Sequence, residues 1–148
     1  MSNSDASEGW EERVFSAQLR QLPETATFIE AFCDRHGIGL PDALRLTLVV
    51  EELFTNTVLH GYRGDSDAPI RVALALDGDA VALLYEDLAP AHDPLVRLPA
   101  SATDPEATLG SRPVGGLGML LVTELAEAAR YARTDGRNRL WLRLPCAR

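Results

Sequence analysis

Residues 51–62 read EELFTNTVLHGY, and within them Glu52, Asn56 and His60 stand four residues apart. On a helix that spacing stacks side chains into one stripe. At about 100° per residue, Leu46, Val49, Val50, Leu53 and Thr57 share a narrow sector that must face a core. Glu52 and Asn56 lie roughly 80–120° to one side of that sector. They border the buried face, as residues at the floor of a pocket do, whereas Glu51 points elsewhere, toward solvent. An isolated E-x-x-x-N is more often an ordinary polar helix flank. The H-E-x-x-H of a metalloprotease is absent, and the oxygen donors of Asn and Glu suit Mg²⁺. The stretch LPDALRLTLVVEELFTNTVLHGY, with Pro41 near its start and Gly61 near its stop, predicts one long central helix.

The rest of the chain arranges itself around that helix. Residues 1–9 read as a disordered tail and 10–148 as a single domain. RVFSAQL (13–19) alternates like a strand. Pro23 and ETATFIEAFCDRHG predict a first helix ending at Gly37. APIRVALALDGDAVALLYED predicts two strands joined through DGD. Residues 88–114 are irregular, with prolines at 90, 94, 99, 105 and 113. GGLGMLLVTELAEAA predicts a third helix, and RYARTDGRNRLWLRL a second hairpin around DGRN. Antiparallel pairs with helices gathered on one face make an α+β fold, a two-layer α/β sandwich with a mostly antiparallel sheet.

Composition narrows the function classes. The chain has 148 residues, 46% of them hydrophobic, and a net charge of −8 from 14 basic and 22 acidic side chains. That balance argues against direct nucleic-acid or anionic-membrane binding. All 14 basic residues are arginine; without lysine there is no Schiff-base chemistry and no P-loop. Cys33 and Cys146 fit no metal-ligand spacing, and Cys33 reads as a buried thiol. His36, His60 and His92 show no ligand spacing either. The polar N-terminus is unlike a signal peptide, and no apolar run approaches the roughly 20 residues of a membrane span. The expectation is a soluble cytoplasmic protein.

Two further stretches carry chemistry. In YEDLAPAHDP (85–94), Asp87 ends a strand, where a carboxylate can accept a hydrogen bond from an exocyclic amine such as that of adenine. In GSRPVGGLGM (110–119), glycines allow close backbone approach to a ligand, and the helix that follows offers its N-terminal amides to an anion. No strand directly precedes these glycines, so the dinucleotide-binding fingerprint does not fit.

Taken in order, these segments resemble the GHKL-type (Bergerat-fold) ATPases, and among them the small anti-sigma-factor serine/threonine kinases. EELFTNTVLHGY is similar to their asparagine box, EDLAPAHDP to their first glycine box, and VGGLGMLLVTELAEAARYARTDGRNRLWL to their second box and the strands after it. The resemblance spans most of 13–144. It implies that Glu52 is the general base toward a partner's serine or threonine hydroxyl, that Asn56 ligates Mg²⁺ bridging the phosphates of ATP, and that Asp87 bonds the adenine amine. It places Gly115, Gly116, Leu117 and Gly118 around the phosphates. His60 matches the box histidine, with its role open between packing and ligand contact. Arg112, just before the glycines, could reach a phosphate or the partner. The family's first box reads D-x-G, but this chain has Asp87-Leu88-Ala89; the alanine narrows the room beside the base or forces a different turn.

The resemblance further implies an anti-sigma factor that phosphorylates a STAS-domain antagonist in a partner switch, holds a sigma factor, and forms a homodimer. Residues 95–113 are expected to act as a mobile lid. The alternative is a nucleotide-binding regulatory module that inhibits a partner without phosphoryl transfer, a reading supported by Ala89. A detached catalytic domain of a sensor histidine kinase is disfavoured, because no helical phosphoacceptor segment precedes the fold.

Overall fold

A computed structural model describes residues 9–91 and 122–147. Strand β1 (Glu11–Ser16) leads through a 3-10 turn at Leu19–Gln21 into helix α1 (Leu22–His36). Helix α2 (Leu40–Asn56) follows and runs on as a π-helical turn, Thr57–Gly61. The remaining strands are β2 (Pro69–Asp77), β3 (Ala80–Asp87), β4 (Ala128–Thr134) and β5 (Arg137–Pro145). They form one five-stranded sheet in the order β1-β2-β3-β5-β4, with every neighbouring pair antiparallel. The predicted α+β architecture is the one observed.

Local chemistry accounts for the boundaries. Pro23 sits in the first turn of α1, and Gly37 ends that helix at φ 69°, a left-handed conformation that glycine adopts without steric cost. Pro41 plays the same starting role in α2. The β4–β5 hairpin turns at Asp135 and Gly136, both with positive φ (53° and 75°), as an Asp-Gly type I′ turn requires.

Two predicted boundaries shift. The first strand begins at Glu11 and stops at Ser16, where 13–19 was expected. Its acidic start is matched by partners: Glu11 meets Arg35 and His36 of α1, and Glu12 meets Arg71 of β2. The third helix was expected to reach residue 129, yet among the described residues only 122–125 are helical there. Ala128 and Ala129 instead pair with Arg143 and Leu142. Alanine's helical preference is a weak prior, and the ladder overrides it.

Strand alternation divides the sheet into two unlike faces. Ile70, Val72, Leu74, Val81, Leu83, Tyr85, Leu140 and Leu142 join a buried cluster with Ile29 and Phe32 of α1 and Val49, Val50, Leu53 and Phe54 of α2. Phe15 of β1 meets Phe54 edge-to-face, with ring centroids 6.2 Å apart. The other face carries an ionic network. Glu86, only 4% exposed, accepts from Arg71 Nη1 at 3.0 Å and from Arg139 Nε. Trp141 lies beneath the guanidiniums of Arg130 and Arg139. Cys33 is buried as expected, and burial pushes its thiol up to about 11.

Among the described residues, no helix is long and apolar enough to cross a membrane.

Candidate functional site

Asp87 closes β3, one residue past Glu86. Alternation sends Glu86 to the ionic face and Asp87 to the helix face, so two adjacent acids enter unrelated environments. Asp87 is 3% exposed, and a buried carboxylate must find donors. Thr57 Oγ1 donates to Asp87 Oδ2 at 2.9 Å, and Asn138 Nδ2 donates to Oδ1 at 2.8 Å. The Ala89 N–H donates to the same Oδ1 at 3.1 Å.

Each donor comes from a different element. Thr57 opens the π-helical turn at the end of α2. Its hydroxyl also lies 3.1 Å from the Leu53 carbonyl and 2.6 Å from the Tyr85 hydroxyl. A hydroxyl contending for an i−4 carbonyl perturbs a helix, and it is here that the helix widens. π-turns inside helices cluster at functional sites. Asn138, 5% exposed, stands on β5 directly across the ladder from Asp87. Its Oδ1 accepts from the Tyr131 hydroxyl at 2.5 Å and from Arg133 Nη1 at 3.0 Å. Burial, then the nearby Asp87 charge, push the Tyr85 phenol well above its ordinary value, so it stays neutral.

Ala89 fits this arrangement without strain. Among the described non-glycine residues only Arg63 and Asp135 have positive φ, so the turn after Asp87 does not demand a glycine. The alanine is fully buried, and its carbonyl accepts from Arg133 Nη1 and Asn138 Nδ2, both at 3.0 Å.

These groups border a recess whose lining includes Asn56, Thr57, Asp87, Tyr131 and Asn138. Its volume is about 10 Å³, room for roughly one water. Leu53, Tyr85 and Leu140 also line it, so polar groups meet an apolar wall there. Asn56 and Asp87, distant in sequence, are thus brought together. Glu52 lies one helical turn before Asn56 on α2 and is half-buried. Burial, with a smaller contribution from the Glu51 charge, raises its carboxyl above the ordinary range. Glu51 is half-buried too, so exposure does not separate the two acids as the sequence reading expected. His60 is half-buried within the π-turn.

Arg112, Gly115, Gly116, Leu117, Gly118 and the 95–113 lid all lie outside the described residues. Sequence reasoning assigned Thr57 to the core and passed over Asn138. Only the β3–β5 register, which joins positions 51 residues apart, reveals the second. Asn138→Ala removes a donor to Asp87 and the acceptor shared by Tyr131 and Arg133. It should cost about 1–3 kcal/mol in urea unfolding, the penalty for stranding buried polar groups.

Among the described residues, no group of three His, Cys, Asp or Glu side chains is placed to hold a metal. A metal here would rest on Asn56 together with oxygens that a ligand supplies, and Mg²⁺ accepts such a site because it keeps several waters.

The sequence model described as the histidine kinase-like ATPase domain matches residues 15–144. No curated protein matches the chain. Among solved structures, the RsbU and RsbW domains of Rv1364c from Mycobacterium tuberculosis superpose with a TM-score of 0.64 at 19% identity. That match covers 94% of this chain and 33% of the other, so this chain spans a third of its length.

Proposed function

Since the chain belongs to the histidine kinase-like ATPase domain family, we propose that it is an ATP-dependent protein serine/threonine kinase acting as an anti-sigma factor. Its substrate is a STAS-domain antagonist, and phosphorylation of that antagonist leaves the kinase free to hold a sigma factor. It works in the cytoplasm as a homodimer, with residues 10–148 acting as one ATP-binding domain. The observation that carries this reading is the meeting of Asp87 and Asn56 at one notch, with Glu52 one turn before Asn56 on α2.

The chemistry follows from that line of groups. The Asp87 carboxylate, fixed by Thr57 and Asn138, accepts from the exocyclic amine of adenine. Asn56 would hold Mg²⁺ through its amide oxygen. Mg²⁺, when bound, offsets the charge on the phosphate oxygens. Glu52 takes the proton of the substrate hydroxyl as that oxygen bonds to the γ-phosphorus and the bond to the ADP oxygen breaks. A raised carboxyl pKa brings this base nearer to the operating pH, where general bases are most effective. With no lysine in the chain, charge stabilisation falls to arginine, backbone amides and the ion.

The test mixes purified protein with labelled ATP, Mg²⁺ and the STAS protein encoded nearest its gene. Label should pass to the STAS protein and should not pass from Glu52→Ala. Nucleotide binding without transfer would overturn the kinase reading in favour of the regulatory module.

A further inference from the structure

Strand alternation puts Tyr85 and Asp87 on the same face of β3, and Thr57 meets both from the end of α2. Thr57 and Tyr85 bring one hydroxyl proton each to a place where more than two acceptors are within reach. Thr57 Oγ1 stands 2.6 Å from the Tyr85 hydroxyl, 2.9 Å from Asp87 Oδ2 and 3.1 Å from the Leu53 carbonyl. The Tyr85 hydroxyl lies 3.1 Å from that same carbonyl. Thr57, Tyr85, Asp87 and Leu53 are all buried, so bulk water does not compete for the two protons.

One assignment of those protons serves both of the shorter contacts. A carboxylate oxygen only accepts, so the Thr57 proton belongs on Asp87 Oδ2. Turned elsewhere, it would leave a hydroxyl lone pair 2.9 Å from a buried anion. With that proton spent, the 2.6 Å contact needs the proton of Tyr85, because two hydroxyl oxygens that close repel without one between them. The neutral Tyr85 phenol has a proton to give. Leu53 does not depend on either hydroxyl, since its carbonyl already accepts the Thr57 backbone N–H. Direction therefore runs from Tyr85 to Thr57 to Asp87, and each bond polarises the next.

We propose that Tyr85 is a positioning residue for the reading of adenine: through Thr57, its hydroxyl commits a proton to Asp87 and holds that carboxylate where it accepts from the exocyclic amine. Without the Tyr85 hydroxyl, Thr57 has another outlet. Leu53 lies four residues earlier, where a threonine hydroxyl ordinarily bonds back within its own helix, and at 3.1 Å its carbonyl competes with Asp87. A Thr57 hydroxyl that no longer accepts from Tyr85 is also a weaker donor. The carboxylate then has to be ordered when the base arrives, and that ordering is subtracted from the affinity. The inference deepens the adenine-reading part of the function proposed above and rests on it.

The test is equilibrium binding of ATP and of inosine triphosphate, which carries a carbonyl where adenine has its amine. The full chain is compared with Tyr85→Phe, Thr57→Val and the double variant. Phenylalanine keeps the ring and valine the branched shape, so each change removes a hydroxyl. Tyr85→Phe should weaken ATP binding about 3–10-fold, the share of one buried hydrogen bond, and leave inosine triphosphate near its original affinity. Thr57→Val should weaken ATP at least as much, and the double variant no more than Thr57→Val alone, because Tyr85 acts through that hydroxyl. ATP bound equally by Tyr85→Phe and the original would overturn the relay. A loss shared by both nucleotides would overturn it too, as the mark of a loosened recess, and so would losses that multiply in the double variant. Should the double variant fail to fold, the single variants with the two nucleotides still decide. An unaltered chain that binds ATP no better than inosine triphosphate defeats the adenine reading and the relay together; a preference for ATP that Tyr85→Phe keeps in full defeats the relay alone.

Discussion

Glu52→Gln should bind ATP as the original does and transfer phosphate about 10²–10⁴-fold more slowly, the usual share of a general base. Glutamine keeps the shape and cannot take the proton. Comparing single-turnover transfer with equilibrium nucleotide binding separates the two roles; equal loss in both would make Glu52 a binding residue. The same substitution should move stability in the opposite direction. Burial and the Glu51 charge raise the folded-state pKa of Glu52, so the ionised form is disfavoured by folding. The penalty is present above the folded pKa and vanishes as pH falls below the unfolded one. Glu52→Gln should therefore melt at a higher temperature than the original at pH 7, with the difference shrinking on acidification. The transfer rate of the original should rise with pH through a midpoint above that of an ordinary glutamate.

Asp87 is the position where stability and the proposed recognition of adenine coincide. Asp87→Ala removes the acceptor for Thr57, Asn138 and the Ala89 N–H at once. It should cost about 2–4 kcal/mol in urea unfolding and weaken ATP binding by about 100-fold or more. Asp87→Asn is the sharper probe, because it changes one acceptor into a donor. Its oxygen would keep the Asn138 and Ala89 donors at Oδ1, so the new amide nitrogen would take the Oδ2 position and meet the Thr57 hydroxyl, which must then accept, and the side chain could no longer present two acceptors. It could, however, donate to a carbonyl. The preference for ATP over GTP should therefore shrink in Asp87→Asn, as competition binding would show. An unchanged preference would mean that the base is read elsewhere.

The legible part of the molecule was the part governed by local periodicity. The central helix, its buried sector and the placing of Asn56 at the edge of that sector follow from 3.6-residue spacing. Both hairpins follow from their glycine-containing turns, Gly78-Asp79 and Asp135-Gly136. Asp87 could be singled out because it ends an apolar strand, and alternation alone separates it from Glu86. What stayed hidden depends on distant segments. Asn138 becomes a site residue only through the pairing of β3 with β5, for which the sequence holds no local signal. Thr57 looked like one more member of the core sector, since its pattern position is the same whether its hydroxyl is idle or bonded. The reach of β4 back to Ala128 was masked by alanine's helical preference. The alanine at 89 stood out as a departure from a motif, yet its ordinary backbone conformation means that the turn tolerates it.

The carboxylate that would read adenine is held from both sides by segments made at different times. Thr57 and Asp87 leave the ribosome well before Asn138, which belongs to the last strand of the sheet. A nascent chain that has released only the first hairpin carries Asp87 without one of its clamps, in a sheet still missing β5. Competence to bind nucleotide would thus arrive only once the β4–β5 hairpin has closed, and a nascent chain lacking that hairpin could not engage ATP. Pulse-labelled ribosome-bound chains of increasing length, probed for ATP-agarose retention, would show that gain as a single step at the release of β5.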